Sequence, residues 1–377
     1  MPSTEMTRGT ARRAKVSPGH VRAHNRALVL QTLFQNGEPL SRADLARRTE
    51  LTRVTISDLV AELIDGGLLV EHGARRASGP GKPAILVDID RSGHQVVGID
   101  LSGADAFVGV VMDLDGTEIA RASVPRPADR AGDEAVEATI SLARQLVAVA
   151  TRPLLGVGIG AQGIVAPDGR VLVSPNLGWH DVPLESLVHE ALDLPVIVAN
   201  DANAAALAEW ILGASGSELL LVRMGRGFGA ALLFDGRPVL GTRNAAGEIG
   251  HVTVGTDGGP LCACGKHGCL EAWVSAQALA SRIAAGEDRA IVLREAAERL
   301  GIALAPVVGV LDLAEIVIAG PAELYDDDFI AHTIATLRER TLADFHDGVQ
   351  VARSSQGEDI VLRGAVAMVM SGRLGVA

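Results

Sequence analysis

Gly247-Glu248-Ile249-Gly250-His251 and, after ten intervening residues, Cys262-Ala263-Cys264-Gly265-Lys266-His267-Gly268-Cys269-Leu270-Glu271 form the stretch around which this 377-residue chain is organised. All three cysteines lie within it. Cysteines used as small core residues would be scattered, and an odd number leaves one over in any disulfide framework. Two thiols one residue apart, a third five further on and an upstream histidine make the donor set of a closed Cys3His zinc site. Gly265 and Gly268 let the loop fold back so that three sulfurs converge. His251 is the expected nitrogen ligand. His267 is the alternative, but it sits so close to the cysteines that it would strain the tetrahedron. Glu248 and Glu271 flank the loop, and a structural zinc would pin both carboxylates toward one spot. Carboxylates and an imidazole converging on a cavity suit a polyhydroxylated ligand, because each hydroxyl both donates and accepts.

Charge is unevenly spread outside that stretch. The net charge is -12, yet residues 1–82 carry 13 Lys and Arg against 8 Asp and Glu. A basic head on an acidic body points to nucleic acid at the N-terminal end. Aromatics are only 3% of the chain, so the cores must be built from Ala, Val, Leu and Ile. No apolar run is long enough to cross a bilayer, and no secretory signal is visible. With clustered thiols, this places the expected location in the cytoplasm.

Within the head, residues 1–19 read as a flexible arm. Residues 20–36 carry Leu28, Val29, Leu30, Leu33 and Phe34 at helical spacing. Ser41 is positioned to cap a helix over Arg42–Thr49, and Thr52 to cap a third running to Asp65, with Gly66-Gly67 ending it. Leu68–Glu71 and Ala84–Asp88 read as two strands around a basic, Gly/Pro-rich tip. Helix, turn, helix and wing together predict a winged helix-turn-helix DNA-binding domain over 20–90. Thr52, Arg53, Thr55 and Ser57 open the expected recognition helix, and Arg75, Arg76 and Lys82 lie on the wing within reach of phosphates.

After Gly93 the pattern becomes three strands, a helix and a strand. Gly158-Ile159-Gly160-Ala161-Gln162-Gly163 matches a dinucleotide fingerprint, but a turn and a strand follow where that fingerprint needs a helix, so a Rossmann site is excluded. The strand Val196–Ala199 delivers Asn200-Asp201-Ala202-Asn203 into a helix. An Asp at that junction is placed to accept a hydroxyl proton, and Asp or Asn there can equally serve as the cap.

From about residue 20 onward the sequence resembles the ROK family. The resemblance is carried by Gly-Glu-x-Gly-His at 247–251, Cys-x-Cys-Gly-x-His-Gly-Cys-Leu-Glu at 262–271, Asn200-Asp201-Ala202-Asn203 and Ser174-Pro175-Asn176-Leu177. It implies an α/β chain with a winged helix-turn-helix followed by a two-lobed actin-like (sugar-kinase/ROK) domain over 91–377. Lobe 1 would span about 91–200 plus a C-terminal helix at 361–374, and lobe 2 about 201–360. It implies structural zinc on His251, Cys262, Cys264 and Cys269, and a sugar held between the lobes by Asn176, Asn200, Asp201, Glu248, His251 and Glu271.

Two departures separate this chain from the family's kinases. Their Asp-x-Gly-Gly-Thr-Lys phosphate loop is replaced by Asp100-Leu101-Ser102-Gly103-Ala104-Asp105, which puts a carboxylate where phosphate needs a cation. Arg226 stands for the Thr of the second loop. The resemblance is therefore closer to the repressor branch: a sugar-responsive regulator, not an enzyme, binding operator DNA as a homodimer or homotetramer. The alternatives are an ATP-dependent sugar kinase with Asp201 as base, or a DNA-binding protein with a vestigial ligand site.

Overall fold

The computed structural model describes residues 18–74, 84–128, 132–255, 258–342 and 348–375. Two compact units result: the first ends at Ile89 and also includes Leu374, and the second spans Asp90–Arg373.

In the first unit, α1 (Pro18–Asn36), α2 (Arg42–Thr49) and α3 (Arg53–Asp65) pack through Val29, Leu30, Leu33, Leu45, Ile56, Leu59, Val60 and Leu63, all essentially buried. Both expected caps form. Ser41 Oγ accepts the Asp44 N–H at 3.1 Å, while the Asp44 carboxylate accepts the Ser41 N–H at 3.3 Å, a reciprocal capping box. Thr52 Oγ1 accepts the Thr55 N–H at 3.2 Å. Between the helices Glu50 closes α2 in the left-handed region, φ 58°, a bend the sequence does not announce with a glycine. A two-residue strand β1 (Leu40–Ser41) and strands β2 (Leu69–Ala74) and β3 (Ile85–Ile89) form an antiparallel sheet in the order β1-β3-β2. β2 runs to Ala74, past the expected Glu71, because Ala74 pairs with Ile85 across an irregularity in register. The wing residues Arg75, Arg76 and Lys82 lie outside the described residues.

The second unit holds two five-stranded sheets. The first contains β4 (Gln95–Asp100), β5 (Ala106–Asp113), β6 (Glu118–Pro125), β7 (Leu154–Ala161) and β11 (Val196–Asn200), in the order β11-β7-β4-β5-β6. The pairs β4–β7 and β7–β11 are parallel. Five of the six β4 residues are buried, and Val96 to Ile99 form the apolar run expected of a strand covered on both faces. Helices α4 (Asp133–Val149) and α5 (Leu184–Leu192) cover one face through Leu142, Leu146, Leu184 and Val188. Between β7 and β11, the short strands β8 (Ile164–Val165), β9 (Val171–Ser174) and β10 (Trp179–Val182) make a small antiparallel sheet. β8 directly follows the glycine-rich end of β7, as the rejection of a dinucleotide site requires.

The second large sheet contains β12 (Leu219–Met224), β13 (Phe228–Phe234), β14 (Arg237–Pro238), β15 (Glu315–Ala319) and β16 (Gln350–Arg353), in the order β14-β13-β12-β15-β16. Its outer face carries α7 (Leu270–Val274), α8 (Ala276–Ala284), α9 (Arg289–Leu311) and α10 (Asp327–Arg340). The helical region expected over 275–310 is thus two helices, broken at Gly286, whose φ is 96°.

The remaining helices, α6 (Asp201–Ile211) and α11 (Ile360–Leu374), share an alanine-rich core with Leu219, Leu221, Leu233 and Val317. α11 also lies flat on the first sheet. A Cβ on Gly158 would fall 1.9 Å from the Ala365 carbonyl oxygen, and one on Gly364 would fall 2.0 Å from that of Ala204. Small residues at these crossings let backbones touch, which is how a chain with few aromatics still fills its interior. The C-termini of β4, β7, β11 and β12 and the N-terminus of α6 thereby meet in one region.

Candidate functional site

The Cys-rich loop is built by short-range backbone pairing. Cys262 N–H donates to the Lys266 carbonyl at 2.8 Å, Gly265 N–H to that of Cys262 at 2.9 Å, and isolated bridges join Leu261 to His267 and Thr253 to Cys269. The preceding Glu248–His251 forms one 3-10 turn pressed on β13. Gly247 holds φ 93°, and a Cβ there would lie 2.0 Å from the Ala230 carbonyl oxygen. A side chain at Gly250 would strike the Phe228 ring. The Gly-x-x-Gly spacing is therefore a packing requirement that sets Glu248 and His251 at a fixed height over the strand.

One ligand atom from each of His251, Cys262, Cys264 and Cys269 lies within 4.8 Å of every other. Cys262 Sγ is 3.6 Å from His251 Nδ1, and Cys264 Sγ is 3.6 Å from Cys269 Sγ. A tetrahedral zinc with bonds of about 2.3 Å to sulfur and about 2.0 Å to nitrogen has edges of roughly 3.5–3.8 Å. The donor set fits a four-coordinate ion. His267 is outside it, its ring nitrogen 3.1 Å from the Gly259 carbonyl. His251 turns Nδ1 toward the sulfurs, leaving Nε2 for another partner.

Beside this group stand the acidic side chains. Glu271 Oε1 is 3.5 Å from Cys262 Sγ, and its Oε2 accepts the Phe228 N–H at 3.0 Å. Glu271 thus links the cysteine loop to the glycine-rich turn between β12 and β13. Its closeness explains Gly227, where a Cβ would lie 2.9 Å from Oε2. Glu248 as a residue is exposed, yet its carboxyl end is crowded enough by the surrounding protein to be raised above the ordinary range. His251 opposes that rise, and the neighbouring carboxylates Asp201 and Glu271 add to it. Asp201, His251 and Glu271 are thus all close enough to Glu248 to act on its charge.

At the α6 end the two roles open to Asn200 and Asp201 are divided. Asn200 is the cap: Oδ1 accepts the Ala202 and Asn203 N–H groups at 2.9 and 3.2 Å, and Nδ2 donates to the Gly163 carbonyl at 2.9 Å. Its second amide N–H has no acceptor among the described residues. Asp201 is buried, and burial raises its carboxyl; Arg223 is the main influence lowering it and Asp100 pushes it higher.

Arg223 is a residue the sequence reading missed. Its Nη1 donates to Asp201 Oδ2 at 2.9 Å and its Nη2 to Ser102 Oγ at 2.7 Å. One guanidinium thus ties the end of β12 to the loop after β4 and the start of α6. The available signal was a lone charge in the apolar run Leu219-Leu220-Leu221-Val222-Arg223-Met224. A charge in a buried strand needs a partner. The loop after β4 is itself closed, since Ser102 N–H donates to Asp100 Oδ1 at 2.7 Å and Gln162 Nε2 to the Ser102 carbonyl at 3.2 Å. Gln162 also receives the Asn176 amide at 3.3 Å, and Arg126 bridges the Gly103 and Asn176 carbonyls, each at 2.9 Å. Asn176 is exposed and joins the group through Gln162 and Arg126. Gln162 and Arg126 were also not anticipated.

On α3, Thr52 and Arg53 are exposed, as is Ser57, whereas Thr55 is half-buried. The Thr52 and Thr55 hydroxyls are 2.9 Å apart, so both serve the cap. Arg53 makes no ion pair among the described residues.

No described helix is long and apolar enough to cross a membrane. The model of the ROK family matches residues 96–371. A xylose repressor of Caldicellulosiruptor bescii is 30% identical, over 93% of this chain and 96% of its own length. A crystal structure of a ROK family transcriptional regulator, a homolog of the E. coli MLC protein, superposes with a TM-score of 0.82 at 26% identity, covering 95% of this chain and 98% of that one. A ROK glucokinase from Streptomyces griseus, solved with glucose and AMPPNP, gives a TM-score of 0.62 at 25% identity, covering 73% of this chain and 98% of its own. The expected α/β architecture, helix-turn-helix followed by a sugar-kinase-like fold, is the observed one. The chain belongs to the ROK family.

Proposed function

We propose that the protein is a sugar-responsive transcriptional repressor of the cytoplasm. The observation that carries this reading is the union, in one chain, of a capped helix-turn-helix with the polyol-suited cluster of Asp201, Glu248, His251 and Glu271. The likeness to a xylose repressor over nearly the whole of both chains supports it. In this reading Arg53 and Ser57, with Arg75, Arg76 and Lys82 of the wing, contact operator DNA, and a homodimer or homotetramer places one head on each half-site. A sugar takes hydrogen bonds from the free Asn200 N–H and from His251 Nε2, and donates hydroxyls to Asp201, Glu248 and Glu271; Asn176 closes one side. Zinc on His251, Cys262, Cys264 and Cys269 serves structure, fixing the loop that carries His251 and Glu271. Sugar binding changes operator affinity, and by linkage operator binding changes sugar affinity by the same factor.

Phosphoryl transfer is disfavoured by this chain's own groups. A kinase would need Asp201 to take a hydroxyl proton beside a bound phosphate. Here Asp201 is engaged by Arg223, Ser102 N–H is spent on Asp100, and Ala104, Asp105 and Arg226 replace the phosphate-loop residues. The test is an operator mobility shift with a panel of pentoses, hexoses, N-acetyl sugars and sugar phosphates, with and without Mg-ATP. The reading requires that one sugar alter the shift without consuming ATP. Sugar-dependent ATP hydrolysis abolished by Asp201→Asn would establish the kinase instead.

A further inference from the structure

We infer that Val54 reads the 5-methyl group of a thymine in the major groove, making it a specificity-determining residue of the operator contact; this rests on the DNA-binding reading above. Val54 is the second residue of α3 and is 72% exposed. At 100° per residue, the buried positions Ile56, Leu59, Val60 and Leu63 centre roughly 190° from it, so Val54 points straight away from the core. Among the described residues it has no packing role in the head. The outward stripe it begins continues through Ser57, Asp58 and Ala61, all exposed.

That stripe is too small and too polar to be a protein-docking patch, but its chemistry suits the floor of a groove. The N-terminal residues of a recognition helix are those that meet base edges. Thymine alone presents a methyl group there, and a short branched side chain can cover it without reaching for a polar atom. Arg53 precedes Val54 and supplies charge for the flanking phosphates. Asp58, one turn on, faces the same way and resists close approach of phosphate, which restricts deep contact to the first turn, where Val54 sits.

Full-length protein is used to select binding sites from random-sequence duplex DNA. In the selected duplex each thymine is then replaced, one at a time, by deoxyuridine, which lacks only the methyl group. Wild type is expected to bind about fourfold more weakly at one position per half-site, the worth of roughly one buried methyl. Val54→Ala is expected to lose a similar factor on the thymine duplex and no longer to distinguish deoxyuridine there, while Arg53→Ala still does. Because Val54 is exposed and alanine is the better helix former, the variant keeps its fold. If every thymine is replaceable without effect, or Val54→Ala discriminates as wild type does, the assignment fails while DNA binding stands. If no sequence is enriched, the DNA-binding reading fails and this one with it.

Discussion

Replacing Arg223 with alanine removes the counter-charge of a buried carboxylate, and the cost should depend on pH. The Asp201 side chain is 11% exposed and that of Arg223 24%. Removing one partner of a buried pair costs about 3–5 kcal/mol. The residual exposure of Arg223 places this pair at the lower end, about 3 kcal/mol at neutral pH. Burial already raises the Asp201 carboxyl, with Arg223 the main influence holding it down, so the variant's carboxyl moves higher still. A carboxyl whose folded value lies above its unfolded value keeps its proton longer in the folded state. Its stability contribution is greatest below the unfolded value and is lost as pH rises through the folded one. The variant's penalty should therefore be small in acid and grow toward neutral pH. All three tryptophans, Trp179, Trp210 and Trp273, lie in the second unit, so urea unfolding followed by their fluorescence reports on that unit. Wild type and Arg223→Ala would be compared at about pH 5 and about pH 7.5, each also in the Asp201→Asn background, where the arginine should be worth less than about 1 kcal/mol. A cost that is equal at both pH values, and undiminished once Asp201→Asn has removed the carboxylate, would refute the ion-pair argument and leave Arg223 as packing alone.

Three further outcomes follow from the site and the head. Ser41→Ala breaks the capping box of α2 and should cost about 1 kcal/mol, read as faster hydrogen exchange of the α2 amides. Glu271→Gln should weaken sugar binding by about tenfold or more, since bonds to charged groups contribute about 1.5–3 kcal/mol; unchanged heats of sugar binding by calorimetry would remove Glu271 from the ligand set. Arg53→Ala should lower the slope of log affinity against log salt by about one, and an unaltered slope would place Arg53 away from the phosphates.

The sequence disclosed those parts of the fold whose residue types have few alternative uses. Three clustered cysteines with an upstream histidine had one economical reading, and Ser41 and Thr52 stood where helices must begin. Glu248 and Glu271 stood out in the sequence as carboxylates flanking the cysteine loop, and the fold does bring Glu271 against Cys262. Arg223 and Gln162 did not, since their roles depend on which strand ends meet. Nothing local in Leu219–Met224 says that its one cation will face Asp201, which is 22 residues away, or Ser102, which is 121 away. The turn at Glu50-Leu51 could be placed between the two capped helices, but its left-handed φ of 58° could not, because glutamate seldom takes a positive φ and here the packing of α2 on α3 fixes it. Pairing with Ile85 likewise carried β2 past its expected end, a non-local effect that no period-two pattern within Leu69–Ala74 could show.

In the proposed reading the zinc ligands and the acidic cluster share His251, and this makes metal removal a test of both. His251 turns Nδ1 to the sulfurs, so its other nitrogen is aimed only while that side is held. Cys262 Sγ lies against Glu271 Oε1, and the other oxygen of Glu271 holds the Phe228 N–H. Loss of the ion frees both ends of this chain at once. By contrast, the second unit's outer core of Leu220, Val222, Leu293, Leu300, Leu304 and Ile316 does not involve the ligands, so the fold should survive. Chelation, or Cys264→Ala, should lower bound zinc below one ion per chain and weaken sugar binding by about tenfold or more. Tryptophan fluorescence should stay near that of the intact protein, and operator binding without sugar should persist. Restoring zinc, but not magnesium, should recover affinity in the chelated wild type, because thiolate and imidazole donors favour the softer ion. Metal-free protein that bound sugar as tightly as before would sever the loop from the site and leave the zinc with no part in the response.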